Sequence, residues 1–121
     1  MPALVLAYIG DAVYELVVRS YLVESGVVKV KQLHNEAVRL VNAKTQARVL
    51  QALEGMLSDE ETSVMRRGRN TKSQHTPRSA GVIEYRQSTA LECLVGYLYL
   101  KGDTTRLNEI IKAGLDMVDA T

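Results

Sequence analysis

The sequence contains a single cysteine, no long apolar run and almost no net charge. Cys93 has no second cysteine with which to form an internal disulfide, and alone it cannot build a cysteine-based zinc site. No stretch approaches about 18 apolar residues without a charge, and no basic leader precedes the first apolar segment, so we expect neither a membrane span nor a signal peptide. These absences predict a cytoplasmic protein without membrane association. The net charge of +1 favours no class of partner.

Length and composition place the chain among ordinary globular proteins. Hydrophobic residues make up 46% of its 121 residues and charged residues 24%, which excludes disordered and fibrous classes. A chain of this length can bury most of its surface in one core but has no room for two domains. We therefore predict one domain over residues 1–121.

Helical spacing of apolar residues dominates the first half of the chain. An apolar helix is predicted over residues 2–23, with Gly26 as its stop. A second apolar pattern covers residues 32–55 and fits either one long helix or two, because Asn42 could cap a new helix in its middle. The β-branched residues at 27–30 could form a short extended piece but are too few for a sheet.

Cap residues divide the second half into three further helices. Ser58 followed by Glu61 is a capping box, and the short helix that it opens is expected to close at Gly68 in the left-handed conformation. A loop follows, then a helix over residues 83–100, and Asp103 caps a last helix. The fold is therefore predicted to be an all-α helical bundle. Its first and fourth long helices are apolar on more faces than a small domain can cover, which predicts a homodimer.

Two acidic residues interrupt the first apolar helix, in the stretch IGDAVYEL (residues 9–16). Asp11 and Glu15 are four residues apart and so share a helix face. Two carboxylates about 4 Å apart at an effective dielectric of about 20 repel by roughly 4 kcal/mol, unless one is protonated or a cation lies between them. Gly10 would let another backbone or a ligand approach closely. The alternative is that Glu15 points to solvent and Asp11 is a hydrogen-bonded buried polar residue.

Another acid, Glu92, lies in the apolar segment STALECLVGYLYLKGD (residues 88–103), and Gly96 follows one turn later to allow close packing against a partner helix. Carboxylates without a neighbouring histidine or cysteine suit a hard ion such as Mg²⁺ or Mn²⁺ better than zinc. The acids of the two apolar helices therefore predict a divalent metal site, with Asp11 and Glu92 as ligands and Glu15 as a further candidate.

Positive charge is concentrated in one segment. Between Glu61 and Glu84 there is no acidic residue, whereas basic and small polar side chains accumulate. Arg and Lys side chains together with backbone N–H groups on a glycine-containing loop are what phosphate contacts need. A solvated loop with ordinary surface charge is the alternative. The candidate phosphate-binding residues are Arg66, Arg67, Arg69, Asn70, Lys72, Ser73 and His75.

Three stretches resemble the ribonuclease III family, in the order in which that family carries them. IGDAVYEL resembles the signature helix, LVNAKTQARV (residues 40–49) the following helix, and ECLVGYLYLKG (residues 92–102) the second acidic helix. The basic segment RRGRNTKS, and the expected lack of a double-stranded-RNA-binding domain after residue 121, make the chain similar to the small Mini-III subgroup of that family.

The resemblance implies a dimeric, all-helical enzyme that cleaves the phosphodiester bonds of duplex RNA with Mg²⁺, for which Mn²⁺ can substitute. It implies that Asp11 and Glu92 are the catalytic and metal-binding acids. The larger enzymes of the family have two further acids, at positions where this chain has Ala7 and Thr89, and the subgroup shares this reduced set. For the subgroup the resemblance also implies maturation of the 23S ribosomal RNA precursor in a bacterium.

Two other functions stay open on the sequence alone. With only two of the four acids, the chain could bind structured RNA without cutting it. Without the resemblance, it could be a helical interaction domain with a basic loop. Mg²⁺-dependent products from duplex RNA would identify the enzyme, whereas a lack of RNA affinity would favour the interaction domain.

Overall fold

Six α-helices make up the described part of the chain, which is residues 1–71 and 81–119 of a computed structural model. No strand occurs in these two ranges, which confirms the all-α prediction. None of the helices in the same ranges is both long enough and apolar enough to cross a bilayer. The helices are α1 (Ala3–Glu24), α2 (Val30–Val41), α3 (Ala43–Leu53), α4 (Asp59–Asn70), α5 (Val82–Lys101) and α6 (Thr104–Asp119), and a 3-10 turn (Glu54–Met56) follows α3.

Side-chain caps begin three of the helices at the predicted residues. The side-chain oxygen of Asn42 accepts a backbone N–H at 2.9 Å, so the pattern over residues 32–55 forms two helices, α2 and α3. Ser58 and Glu61 form the predicted capping box at the start of α4. Asp103 accepts a backbone N–H at 3.2 Å in the first turn of α6. Short-range sequence signals thus set where these helices begin.

Gly68 does not end α4, so this prediction is wrong. The helix continues to Asn70, and Gly68 is buried against α5. A Cβ at this position would lie 2.8 Å from the Cβ of Cys93 and 2.9 Å from the Cα of Ala90, so packing requires the glycine and a turn does not. Gly26, in contrast, has a φ of 98° and follows the end of α1 as predicted.

The core surrounds α5, which packs against α1, α3, α4 and α6. Between residues 88 and 98 only Glu92 and Tyr97 keep part of their surface accessible. Tyr14 of α1 is fully buried, and its hydroxyl donates to the carbonyl oxygen of Leu40 at 2.9 Å. α5, which carries Glu92, is therefore the central helix of the domain, and α1, which carries Asp11, packs against it.

An ion pair joins the first turn of α4 to α6. The buried Glu61 carboxylate accepts two hydrogen bonds from the Arg106 guanidinium, both at 2.8 Å. These bonds lower the pKa of Glu61 to about 2, although burial opposes the shift. Arg106 also donates to the carbonyl oxygen of Met56 at 2.7 Å. A largely desolvated charge pair therefore holds α4 and α6 together.

We expect Arg106→Ala to lower the free energy of unfolding at pH 7 by about 2 kcal/mol, because the charge of Glu61 would stay buried without its partner. Fully buried pairs cost about 3 to 5 kcal/mol when broken, and the effect is smaller here because 24% of the Arg106 side chain is exposed. The folded-state pKa of Glu61 lies below its ordinary value of 4.5, so the pair stabilises the fold above that pH and the contribution is lost as the pH falls from 4.5 to about 2.

Urea unfolding at neutral pH and near pH 2 measures this effect. The difference between the wild type and Arg106→Ala should shrink at the lower pH, and an equal difference at both would contradict the assignment. Glu60→Gln is the matched control, because the ion pair of Glu60 with Lys101 is exposed and should contribute little.

Candidate active site

Two glycines bring α1 and α5 into direct backbone contact. A Cβ on Gly10 would lie 1.7 Å from the carbonyl oxygen of Glu92, and a Cβ on Gly96 would lie 2.0 Å from the carbonyl oxygen of Leu6. No side chain fits at either point, so only glycine permits this crossing. The close approach predicted at both glycines is confirmed.

The crossing places Asp11 beside Glu92. Asp11 follows Gly10 on the exposed side of α1, and half-buried Glu92 is the residue whose carbonyl faces Gly10. Desolvation, and then hydrogen bonding and like-charge contact with the Asp11 carboxyl, raise the pKa of Glu92 to about 8. Because Asp11 is exposed, the alternative in which it is a buried polar residue does not hold. Two carboxyl groups from different helices therefore meet, and ionising both of them is unfavourable.

Gln46 of α3 is the third polar residue at this point, and the sequence motifs do not single it out. Its side chain is 2% exposed, and its carbonyl oxygen accepts a hydrogen bond from the hydroxyl of Ser88, one turn before Glu92 on α5. Hydrogen bonding from Gln46 lowers the pKa of Glu92, against the larger effects of burial and of Asp11. The signal was available, because an amide here interrupts an apolar stripe of α3. The buried residues of that stripe are Val49, Leu50 and Leu53.

Glu15 pairs with a different residue. Its exposed carboxylate lies 3.3 Å from the guanidinium of Arg19, one turn later on α1. Such an exposed pair contributes little to stability. The structure thus brings Asp11 and Glu92 together and places Glu15 next to Arg19.

The donor set of the site suits a hard divalent ion. Asp11 and Glu92 present oxygen ligands only, and among residues 1–71 and 81–119 no group of three His, Cys, Asp or Glu side chains comes together, which leaves no structural zinc site there. Ala7 and Thr89, the positions at which the resemblance implies acids in the larger enzymes, are both buried. Two carboxylates leave most of a coordination sphere to water and substrate oxygens, which Mg²⁺ tolerates.

The basic stretch lies on α4 as far as residue 70, two residues beyond the helix end predicted at Gly68, so the predicted loop begins later. Arg66, Arg67 and Asn70 are exposed on the last turns of α4, whereas Arg69 is half-buried. The remaining predicted phosphate contacts lie outside the described residues: Lys72, Ser73 and His75.

The basic end of α4 packs against the turn of α5 that carries Glu92. A Cβ on Gly68 of α4 would lie 2.8 Å from the Cβ of Cys93, and the charge of Arg67 opposes the rise that burial causes in the pKa of the Cys93 thiol. Cys93 follows Glu92 directly on α5. A positive helix end and two carboxyls therefore share one region of the domain.

Residues 4–103 match the family model of the Ribonuclease III domain. The chain belongs to the ribonuclease III family, as the three sequence stretches indicated, and is an endoribonuclease. That family is generally dependent on divalent metal ions.

Several relatives of the chain within this family are named Mini-ribonuclease 3. The chain is 48% identical over 119 residues to Mini-ribonuclease 3 of Symbiobacterium thermophilum, a match that covers 98% of this chain and 92% of that protein. It is 47% identical over 116 residues to the Mini-ribonuclease 3 of Brevibacillus brevis, covering 96% and 87% of the two chains. The crystal structure of a protein from Fusobacterium nucleatum matches with a TM-score of 0.83 at 32% identity, over 96% of this chain and 93% of that one.

Proposed function

We propose that this endoribonuclease hydrolyses phosphodiester bonds of duplex RNA with a Mg²⁺ ion, for which Mn²⁺ can substitute, held by Asp11 and Glu92. The observation that carries the proposal is the contact of these two carboxyls at the crossing of α1 and α5. The contact costs free energy, because burial and like charge both oppose ionisation of Glu92. A divalent cation between the two carboxylates would remove this cost.

The two acids have different surroundings, so they would contribute to ion binding in different ways. Asp11 lies on the exposed side of α1, where an RNA backbone can reach it. Glu92 is half-buried and is held by α5 and by Gln46 of α3. When bound, the ion supplies stabilisation of the charge that develops at phosphorus and makes a water molecule more acidic. With water as the nucleophile, no side chain has to form a covalent intermediate.

The last turns of α4 are the proposed RNA contact of the described residues. Arg66, Arg67 and Asn70 are exposed there and Arg69 is half-buried, and Gly68 among them packs against the turn of α5 that carries Glu92. A-form RNA hides its bases in a deep major groove, so a small enzyme selects its duplex by shape, phosphates and 2′-hydroxyls. Guanidinium groups suit the phosphates. The predicted contacts Lys72, Ser73 and His75 stay part of this proposal.

Replacing Arg67 and Arg69 with Ala is expected to raise KM for duplex RNA and leave kcat at saturation nearly unchanged, because the two side chains contact phosphates and not the reacting bond. Each lost phosphate contact should flatten the log–log salt dependence of binding by roughly 0.9, with duplex DNA as the guide. Steady-state kinetics and binding at several salt concentrations measure both effects. Lys112→Ala, an exposed charge on α6, is the control. An unchanged salt slope would move the RNA surface elsewhere.

An exposed apolar stripe on α1, beside Asp11, supports a homodimer. Tyr8 is 80% exposed and Leu16 63% exposed, and Leu4 and Val5 continue the stripe towards the start of the helix. The ribonuclease III family is usually dimeric, so a second copy of the chain is the proposed partner. Light scattering at micromolar concentration should report twice the chain mass of 13.4 kDa. A particle of one chain would contradict the dimer.

The proposed natural substrate is a duplex segment of the 23S ribosomal RNA precursor in the bacterial cytoplasm, as the resemblance to the Mini-III subgroup implies. The test of the activity itself is incubation of an end-labelled RNA duplex with the protein in Mg²⁺ and in EDTA. Products in Mg²⁺ alone support the proposal. Tight binding without products would favour an RNA-binding module that does not cleave, and cleavage in EDTA would overturn the role of the ion.

A further inference from the structure

Gln46 connects α3 to the acid pair. Its buried amide contacts Ser88, which lies one turn before Glu92 on α5, and hydrogen bonding from Gln46 lowers the pKa of Glu92. The amide oxygen accepts the hydroxyl of Ser88, which leaves the amide nitrogen as the group that can donate to Glu92. A carboxylate that binds a metal ion is ionised and only accepts hydrogen bonds, so this donor suits it. Ser88 therefore fixes the amide in the one orientation that directs an N–H donor at the carboxylate.

An uncharged donor is the type of group that a metal-binding carboxylate needs at this position. A lysine or arginine would form an ion pair with Glu92 and compete with a cation. Another acid would add a third like charge to the pair, and an apolar side chain would leave the carboxylate free to rotate. The glutamine amide restrains the carboxylate of Glu92 and leaves the negative charge of the acid pair intact.

We infer that Gln46 is a positioning residue for Glu92 and that Ser88 sets its orientation, so that α3 takes part in binding the divalent ion. This inference rests on the proposed function of the acid pair. Gln46 itself does not touch the substrate or the ion. If Gln46 only joined α3 to α5, replacing it would lower stability and leave the affinity for the ion unchanged.

Three variants of the full chain separate these two roles. Gln46→Met keeps an unbranched side chain of similar length but removes the N–H donor. Ser88→Ala leaves Gln46 in place and frees its amide to turn. Thr45→Val is the matched control, because Thr45 precedes Gln46 on α3, is also buried, and donates its hydroxyl to the carbonyl oxygen of Arg39 at 2.8 Å.

The first measurement is the Mn²⁺ affinity of each protein without RNA, by calorimetry, with the melting temperature in EDTA taken alongside. Gln46→Met should bind Mn²⁺ at least about tenfold more weakly than the wild type, which is the loss typical of groups that orient a metal ligand. Ser88→Ala should shift the affinity in the same direction by less. Thr45→Val should lower the melting temperature and leave Mn²⁺ affinity unchanged.

The second measurement is duplex RNA cleavage as a function of Mg²⁺ concentration. For Gln46→Met, kcat should fall at limiting Mg²⁺ and recover at high Mg²⁺, while KM for RNA stays at the wild-type value. Wild-type ion affinity in Gln46→Met would overturn the inference and leave the proposed function intact. If Gln46→Met does not fold, unchanged affinity in Ser88→Ala overturns it. A wild type that binds no Mn²⁺ and cuts RNA without a divalent ion overturns both.

Discussion

Asp11→Asn is expected to lower the rate of Mg²⁺-dependent RNA cleavage by more than about a hundredfold while the protein stays folded, since groups that only orient a metal ligand already cost about 10- to 100-fold. An amide oxygen is a poor substitute for a carboxylate as a Mg²⁺ ligand. The substitution also removes the like-charge contact with Glu92, so the melting temperature in EDTA should be equal to that of the wild type or higher. Cleavage of an RNA duplex and thermal unfolding of the same preparation measure the two effects.

Three further variants test whether the effect of Asp11→Asn belongs to the proposed metal site. Glu92→Gln should behave like Asp11→Asn, and the double variant should cost little more than either single change, because both acids serve one site. Glu15→Gln should be milder, since Glu15 lies beside Arg19 on the same helix. Near wild-type cleavage by Asp11→Asn, or a loss of activity that follows from unfolding, would make Asp11 a structural residue.

Gly10→Ala is expected to have the largest effect on stability. The new Cβ would lie 1.7 Å from the carbonyl oxygen of Glu92 and 2.9 Å from the backbone nitrogen of Gly96. Both are main-chain atoms, so no side chain can move aside and the helices must separate. Overpacking of a core by a side chain costs about 1 to 3 kcal/mol, and a clash between two backbones should reach about 3 kcal/mol or more. Activity should fall as well, because Asp11 and Glu92 would move apart.

The control for Gly10→Ala is Gly55→Ala, because a Cβ at Gly55 would have no atom within 4 Å. That variant should be as stable as the wild type or slightly more so, because alanine reduces the freedom of the unfolded chain. Gly96→Ala should resemble Gly10→Ala, since its Cβ would lie 2.0 Å from the carbonyl oxygen of Leu6. Chemical denaturation of the three variants compares them. A Gly10→Ala protein with wild-type stability would show that the two backbones do not meet.

Features that depend on neighbouring residues could be predicted from the sequence. Asn42 and Ser58 cap helices because their side chains reach backbone N–H groups within the next turn, which only local geometry decides. Gly10 and Gly96 stood out because a glycine inside an apolar helix needs a packing reason. The acids next to these glycines then marked the two helices that had to meet.

Features that depend on distant parts of the chain could not be predicted in the same way. Gly68 could either end α4 or pack against α5, and only the position of Ala90 and Cys93 decides between these uses. For the same reason, residues 69 and 70 were expected beyond the end of α4 although they are helical. The role of Gln46 depends on Ser88, which is 42 positions away in the chain. No periodicity within α3 could reveal that partner.

The bare backbones at the crossing of α1 and α5 fix how closely the two helices approach. Because main-chain atoms meet there, the contact that brings Asp11 beside Glu92 does not use an ion to join the helices. We therefore expect the protein to refold in a chelator to wild-type stability, with the two acids already side by side.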